Sequence, residues 1–304
     1  MVFPEKIKQG DTIGLVAPSS PVNRKGLDKC RQFFEDMGYH VVFGESAYST
    51  YKGYLSGDDD IRGKDINKMF TDKSVSAIYC LRGGYGSCRI MDKIDLDIIK
   101  SNPKIFVGYS DITNLHLLFN QKAELVTFHG PMVFSNILNK YDDFTRQSFL
   151  NAINMEEELL FNNPDNEAIE TLVPGEGQGT VIGGNLSLLS ASIGTEYEPD
   201  TENKILFIEE IDEPTYRIDR MLHQLKHAGK LSKLSGIILG DFTGCEPRED
   251  GEYTLYELFE DIIKPLSIPT LYNIKSGHCF PMATIPLGLN CKMDATNKSI
   301  QFLR

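Results

Sequence analysis

The residue best placed to do chemistry is a serine lying between a strand pattern and a helix pattern. In Phe106-Val107-Gly108-Tyr109-Ser110-Asp111 an apolar run passes into a helical pattern with no spacer. Ile112, Leu115, Leu118 and Phe119 share one face of that helix. Ser110 therefore falls on a tight strand-to-helix turn, which exposes a hydroxyl at the carboxyl edge of a sheet, where open α/β folds place ligands. The backbone N–H groups after it open a helix and can meet an oxyanion. The pattern is that of a nucleophile elbow without its second glycine. The same Ser-Asp pair also suits a plain helix N-cap.

A second loop, Leu81-Arg82-Gly83-Gly84-Tyr85-Gly86-Ser87, also follows a strand pattern. Its glycines permit close backbone approach or a tight turn. It is not G-x-G-x-x-G and no Walker lysine follows, so neither a dinucleotide nor a nucleotide phosphate is expected there. A serine nucleophile needs a base. The chain has six histidines, at 40, 116, 129, 223, 227 and 278. His278, in SGHCF, has Gly- and Pro-rich surroundings that suit a loop held over a site; His129, in LVTFHGPM, is its strongest rival, and position alone does not decide between them. The base needs an orienting carboxylate. Glu209 and Glu210 end the apolar run KILFI, and strand alternation sends them to opposite faces. No HExxH and no Cys/His cluster at zinc spacing occurs, so no metal and no cofactor is expected.

These groups need a scaffold. Strand patterns at 12–17, 39–43, 76–81 and 104–109 alternate with helical patterns at 23–37 and 56–70 and a short helix near 87–93, which predicts a parallel sheet covered on both faces. Residues 156–179 are acidic and rich in Asn, Pro and Gly, and read as a connection. Beyond it come strands at 180–182, 204–208, 236–239 and 270–274, helices at 186–193, 217–228 and 255–263, and a terminal hairpin at 290–303. The expected fold class is α/β. A Rossmann-like or flavodoxin-like domain spans 1–155, 156–179 is a linker, and a smaller mixed α+β domain spans 180–304.

The 304 residues carry a net charge of −12 with 41% hydrophobic and 24% charged residues, an ordinary globular composition. That charge gives no footprint for nucleic acid or an anionic membrane. The N-terminal stretch lacks the pattern of a signal peptide, and no apolar run reaches membrane-spanning length. Six cysteines without framework spacing read as reduced thiols in a cytoplasmic protein.

Eight segments, in order from about residue 10 to 290, resemble the LD-carboxypeptidase family of serine peptidases: GDTIGLVAPSSPV, LRGGYGS, VGYSDITNLH, HGPM, GGNLSLLSASIGT, LFIEEIDEPTYRIDRMLHQL, GIILGDFTGC and SGHCFPMATIPLG. The resemblance implies a nucleophile at Ser110, a histidine at His278 and a glutamate at Glu209, with Glu210 as the fallback. It implies an active site in the groove between two domains, with Ser110 from one and Glu209 and His278 from the other. On that template the oxyanion meets the backbone N–H groups of Asp111 and Gly84. The implied substrate is a murein tetrapeptide, cut between an L-configured diamino-acid centre and a terminal D-alanine. Arg82, with Gly83, is a candidate for the substrate carboxylate. A homodimer is implied as well. The neighbouring branch cleaves peptidyl or aminoacyl sulfamoyl-adenylates (the microcin C immunity type). Nucleotide stacking here would fall to Tyr or Phe, since the chain has no Trp.

Overall fold

The computed structural model describes residues 1–304. Its first sheet contains β1 (Thr12–Val16), β2 (His40–Phe43), β3 (Val75–Cys80), β4 (Ile105–Gly108) and β5 (Thr127–His129). The remaining strands are β6 (Glu158–Leu160), β7 (Glu170–Val173), β8 (Glu176–Asn185), β9 (Lys204–Glu209), β10 (Gly236–Leu239), β11 (Thr270–Tyr272), β12 (Ile285–Leu287), β13 (Asn290–Asp294) and β14 (Ser299–Leu303). The first five lie in the order β2-β1-β3-β4-β5, all parallel, which is the flavodoxin-like order expected. Helices follow the caps in the sequence: Asn23 accepts from Gly26 N at the start of Arg24–Asp36, and Asp58 from Ile61 N at the start of Asp59–Thr71.

The second sheet runs β6-β14-β13-β8-β9-β10-β11-β7. Its centre, β8 to β11, is parallel, and both flanks are antiparallel. The fold is therefore mixed α/β with two sheets. One continuous core joins them: Ile13, Leu15, Tyr79 and Val107 from the first sheet share it with Val181, Ile205, Phe207 and Phe302 from the second.

Two expectations are corrected. Residues 156–179 are not a free connection. They supply β6 at one edge of the second sheet, β7 at the other, and the start of β8. Their glycines misled because they serve close backbone packing: a Cβ at Gly177 would fall 2.1 Å from Ser235 O, and one at Gly179 2.6 Å from Asn203 O. The span 180–304 also does not stay with one sheet. β12 crosses over and pairs antiparallel with β5 at the edge of the first, where Pro286 lacks only an edge donor.

Candidate active site

Ser110 follows β4 and opens a single 3-10 turn, Ser110–Ile112, before the helix Thr113–Ala123. Its φ is +63°, a left-handed conformation that costs a non-glycine residue roughly 1 kcal/mol or more. The turn is held by its neighbour. Asp111 is buried, and its carboxylate accepts from Ser19 Oγ at 2.6 Å and Ser87 N at 2.8 Å. The Ser87 hydroxyl donates back to Asp111 O and receives Asn114 Nδ2 at 3.0 Å. One side chain thus ties the loops after β1 and β3 to the turn after β4. Burial raises the Asp111 carboxyl above its ordinary range, against these hydrogen bonds.

The glycine loop lies directly on this turn. A Cβ at Gly83 would come 3.1 Å from Ser110 Cβ and 3.2 Å from its Oγ. Gly84 has φ +110° and packs on Ser20. Arg82 is half-buried; its Nη1 reaches Pro21 O at 3.5 Å, and its Nε has no partner.

Glu209 ends β9, fully buried. Its Oε2 lies 2.6 Å from His278 Nδ1. The geometry requires glycine at two neighbours: a Cβ at Gly277, where φ is +125°, would sit 2.8 Å from Glu209 Oε2, and one at Gly240 3.2 Å from Glu209 Cβ. Burial alone would lower the His278 pKa, but the Glu209 charge and hydrogen bond outweigh it, and the net shift is upward. Burial raises Glu209 in turn, opposed by His278. Glu210 points the other way. It accepts from Asn185 Nδ2 and Ser187 N, both at 2.7 Å, and so anchors the start of the helix Leu186–Ala191.

The two halves of the site meet through Tyr109, whose ring packs edge-on against His278 at 4.9 Å. A second tie runs from Asn185 N to Thr113 Oγ1 at 3.0 Å, joining the end of β8 to the helix after Ser110. Ser110 Oγ itself makes no hydrogen bond to His278. The rival histidine, His129, is buried between Tyr109 and Phe207 with both ring nitrogens unpartnered, and burial holds its pKa well below the ordinary value. It has no carboxylate partner.

Models of the LD-carboxypeptidase N-terminal and C-terminal domains match residues 13–130 and 178–293. The "Probable murein peptide carboxypeptidase" of Bacillus subtilis (strain 168) is 42% identical over 298 residues, covering 97% of this chain and 92% of its own. The chain belongs to the LD-carboxypeptidase family. It is therefore a peptidase. Two solved structures show the same fold. The microcin C7 self-immunity protein MccF, in its wild-type apo state, superposes with a TM-score of 0.91 at 27% identity, covering 100% of this chain and 99% of its own. A muramoyltetrapeptide carboxypeptidase from Oxalobacter formigenes superposes at 0.83 and 28%, covering 96% and 97%. No helix of this LD-carboxypeptidase family member is long and apolar enough to cross a membrane.

Sequence reasoning missed several groups that shape the site. The Asp111 side chain, Ser19, Ser87 and Asn185 looked like ordinary loop and cap residues, and their contacts are all long-range. Gly277 carried a signal, since a glycine directly before a candidate histidine marks a backbone that needs positive φ or close approach.

Proposed function

We propose that this chain is a serine-type LD-carboxypeptidase that removes the terminal D-alanine from murein tetrapeptides in the cytoplasm. The observation that carries the reading is the buried Glu209–His278 pair at 2.6 Å, packed through Tyr109 against the strained turn that bears Ser110.

Ser110 Oγ attacks the carbonyl carbon of the amide before D-alanine. His278 Nε2 takes the hydroxyl proton, while Glu209 holds the imidazole by Nδ1 and stabilises its charged form. The Asp111 and Gly84 N–H groups meet the oxyanion. His278 then protonates the leaving amine, D-alanine departs, and water resolves the acyl-enzyme by the same groups in reverse. His278 Nε2 and Ser110 Oγ come within hydrogen-bond reach when substrate binds, as catalytic contacts tighten in the complex. Arg82, with Gly83, lies beside the turn and supplies a cation for the substrate carboxylate. A homodimer is part of the proposal. The 42% identity to a relative named for murein peptides favours this substrate over a sulfamoyl-adenylate, and the absence of Trp agrees.

The test is D-alanine release from L-Ala-γ-D-Glu-meso-diaminopimelyl-D-Ala and from its lysine counterpart. Release from either supports the assignment and names the third residue. No release from both removes it.

A further inference from the structure

Beside the glycine loop lies a feature that the proposed chemistry does not use. After β2 the chain folds into a tight bridge between Tyr51 and Leu55, turned by Lys52 at φ +51° and Gly53 at φ +82°. Leu55 is buried beneath Gly86, and Ser56 N donates to Ser19 O at 2.9 Å. The buried Arg62 guanidinium binds both Pro18 O and Gly86 O, so the bridge, the loop after β1 and the glycine loop form one rigid rim. On that rim Tyr54 and Tyr85 stand half exposed, at 50% and 49%, with ring centroids 5.9 Å apart and planes inclined by 49°. Tyr51 is exposed on the same turn.

We propose that Tyr54 and Tyr85 form a stacking platform for a sugar ring carried on the amino end of the substrate peptide; this rests on the murein-peptide reading above. Aromatic faces are apolar and electron-rich. They suit the C–H face of a pyranose, whose hydroxyls stay in water, and they need no cation from an acidic chain. Two rings on a backbone fixed by buried anchors lose little freedom on binding. The spacing also fits. Gly83 touches Ser110, and Tyr85 is two residues further on. At no more than about 3.6 Å per residue plus the length of a side chain, the platform lies within roughly 15 Å of the nucleophile. Three extended substrate residues before the cut bond span about 11 Å, and the γ linkage of D-Glu adds to that reach. The sugar of a muramoyl peptide would therefore reach the rings while its terminal amide lies at Ser110.

The experiment compares kcat/KM for the free tetrapeptide and for the same peptide carrying N-acetylmuramic acid, in wild type, Tyr54→Ala and Tyr54→Phe. The wild type should prefer the sugar-bearing peptide by roughly tenfold, the scale of one or two aromatic contacts. Tyr54→Ala should lose most of that preference through KM and leave the free peptide unchanged, and Tyr54→Phe should keep it. A wild-type ratio near one, or an Ala variant with an undiminished ratio, overturns the platform. So does an unchanged ratio accompanied by loss of a dimer, which assigns the rings to an interface between copies. If neither peptide is cleaved, it is the murein-peptide reading that fails. Calorimetric titration with N-acetylmuramoyl-L-Ala-D-Glu then decides the platform: no heat, or equal affinity for wild type and Tyr54→Ala, overturns it.

Discussion

Glu209 and Glu210 are adjacent, identical in chemistry and both buried, yet the strand sends one to an imidazole and the other to a helix start. Alternation along the KILFI run made that division legible in the sequence, without saying which face held the histidine. Their variants should separate accordingly. Glu209→Gln should lower kcat by roughly a thousandfold or more, as loss of the orienting carboxylate does in such triads. Glu210→Gln should keep kcat within severalfold and cost about 1–3 kcal/mol of stability, measured by urea unfolding, because a helix start loses its charged acceptor. The pH profile follows from the raised His278 pKa. The proposed base, His278, must be neutral, so kcat/KM should climb as pH rises through a value above 6.5, and the midpoint should fall in Glu209→Gln. For stability the sign is opposite. The pairing of protonated His278 with Glu209 contributes fully below the unfolded value near 6.5 and is lost as pH rises through the raised folded value. The choice of His278 over His129 was not legible from local residues, since both sit among glycines and prolines. Burial without a carboxylate distinguishes His129 only in three dimensions.

At the scale of elements, three loops at the carboxyl edge of the first sheet are pinned by one aspartate. Asp111→Ala would strand the Ser87 N–H and the Ser19 hydroxyl, and should cost about 3 kcal/mol by urea unfolding. Because those bonds fix the turn, kcat should fall with stability still sufficient to fold; unchanged kinetics would show that the turn holds itself. Elements with strong periodicity were readable: β1, β3, β9, β10 and the terminal hairpin fall within a residue or two of expectation. Short or atypical ones were not. The edge strands β6 and β7 carry glutamates and lack alternation, β12 contains a proline, and the glycines of β8 imitate a loop. The helices Leu96–Ser101 and Asp143–Ile153 were passed over as well.

For the molecule as a whole, the decisive feature is that the N-terminal half does not complete its own sheet. β12, late in the chain, completes the edge beside β5, and a common core unites Ile13 and Tyr79 with Ile205 and Phe207. Such sharing predicts a single cooperative heat-unfolding transition, with calorimetric and van't Hoff enthalpies in agreement. Two resolved transitions would show that the halves fold independently. The same sharing fixes Glu209 and His278, carried with the second sheet, against Ser110, carried on the first. In this arrangement Ser110 is proposed to supply the attacking oxygen. That role is tested most directly by D-alanine release from the tetrapeptide by Ser110→Ala, with peptide binding measured on the same preparation. Ser110→Ala should lose at least about a thousandfold in turnover with affinity preserved within severalfold. Turnover within tenfold of the wild type would contradict it.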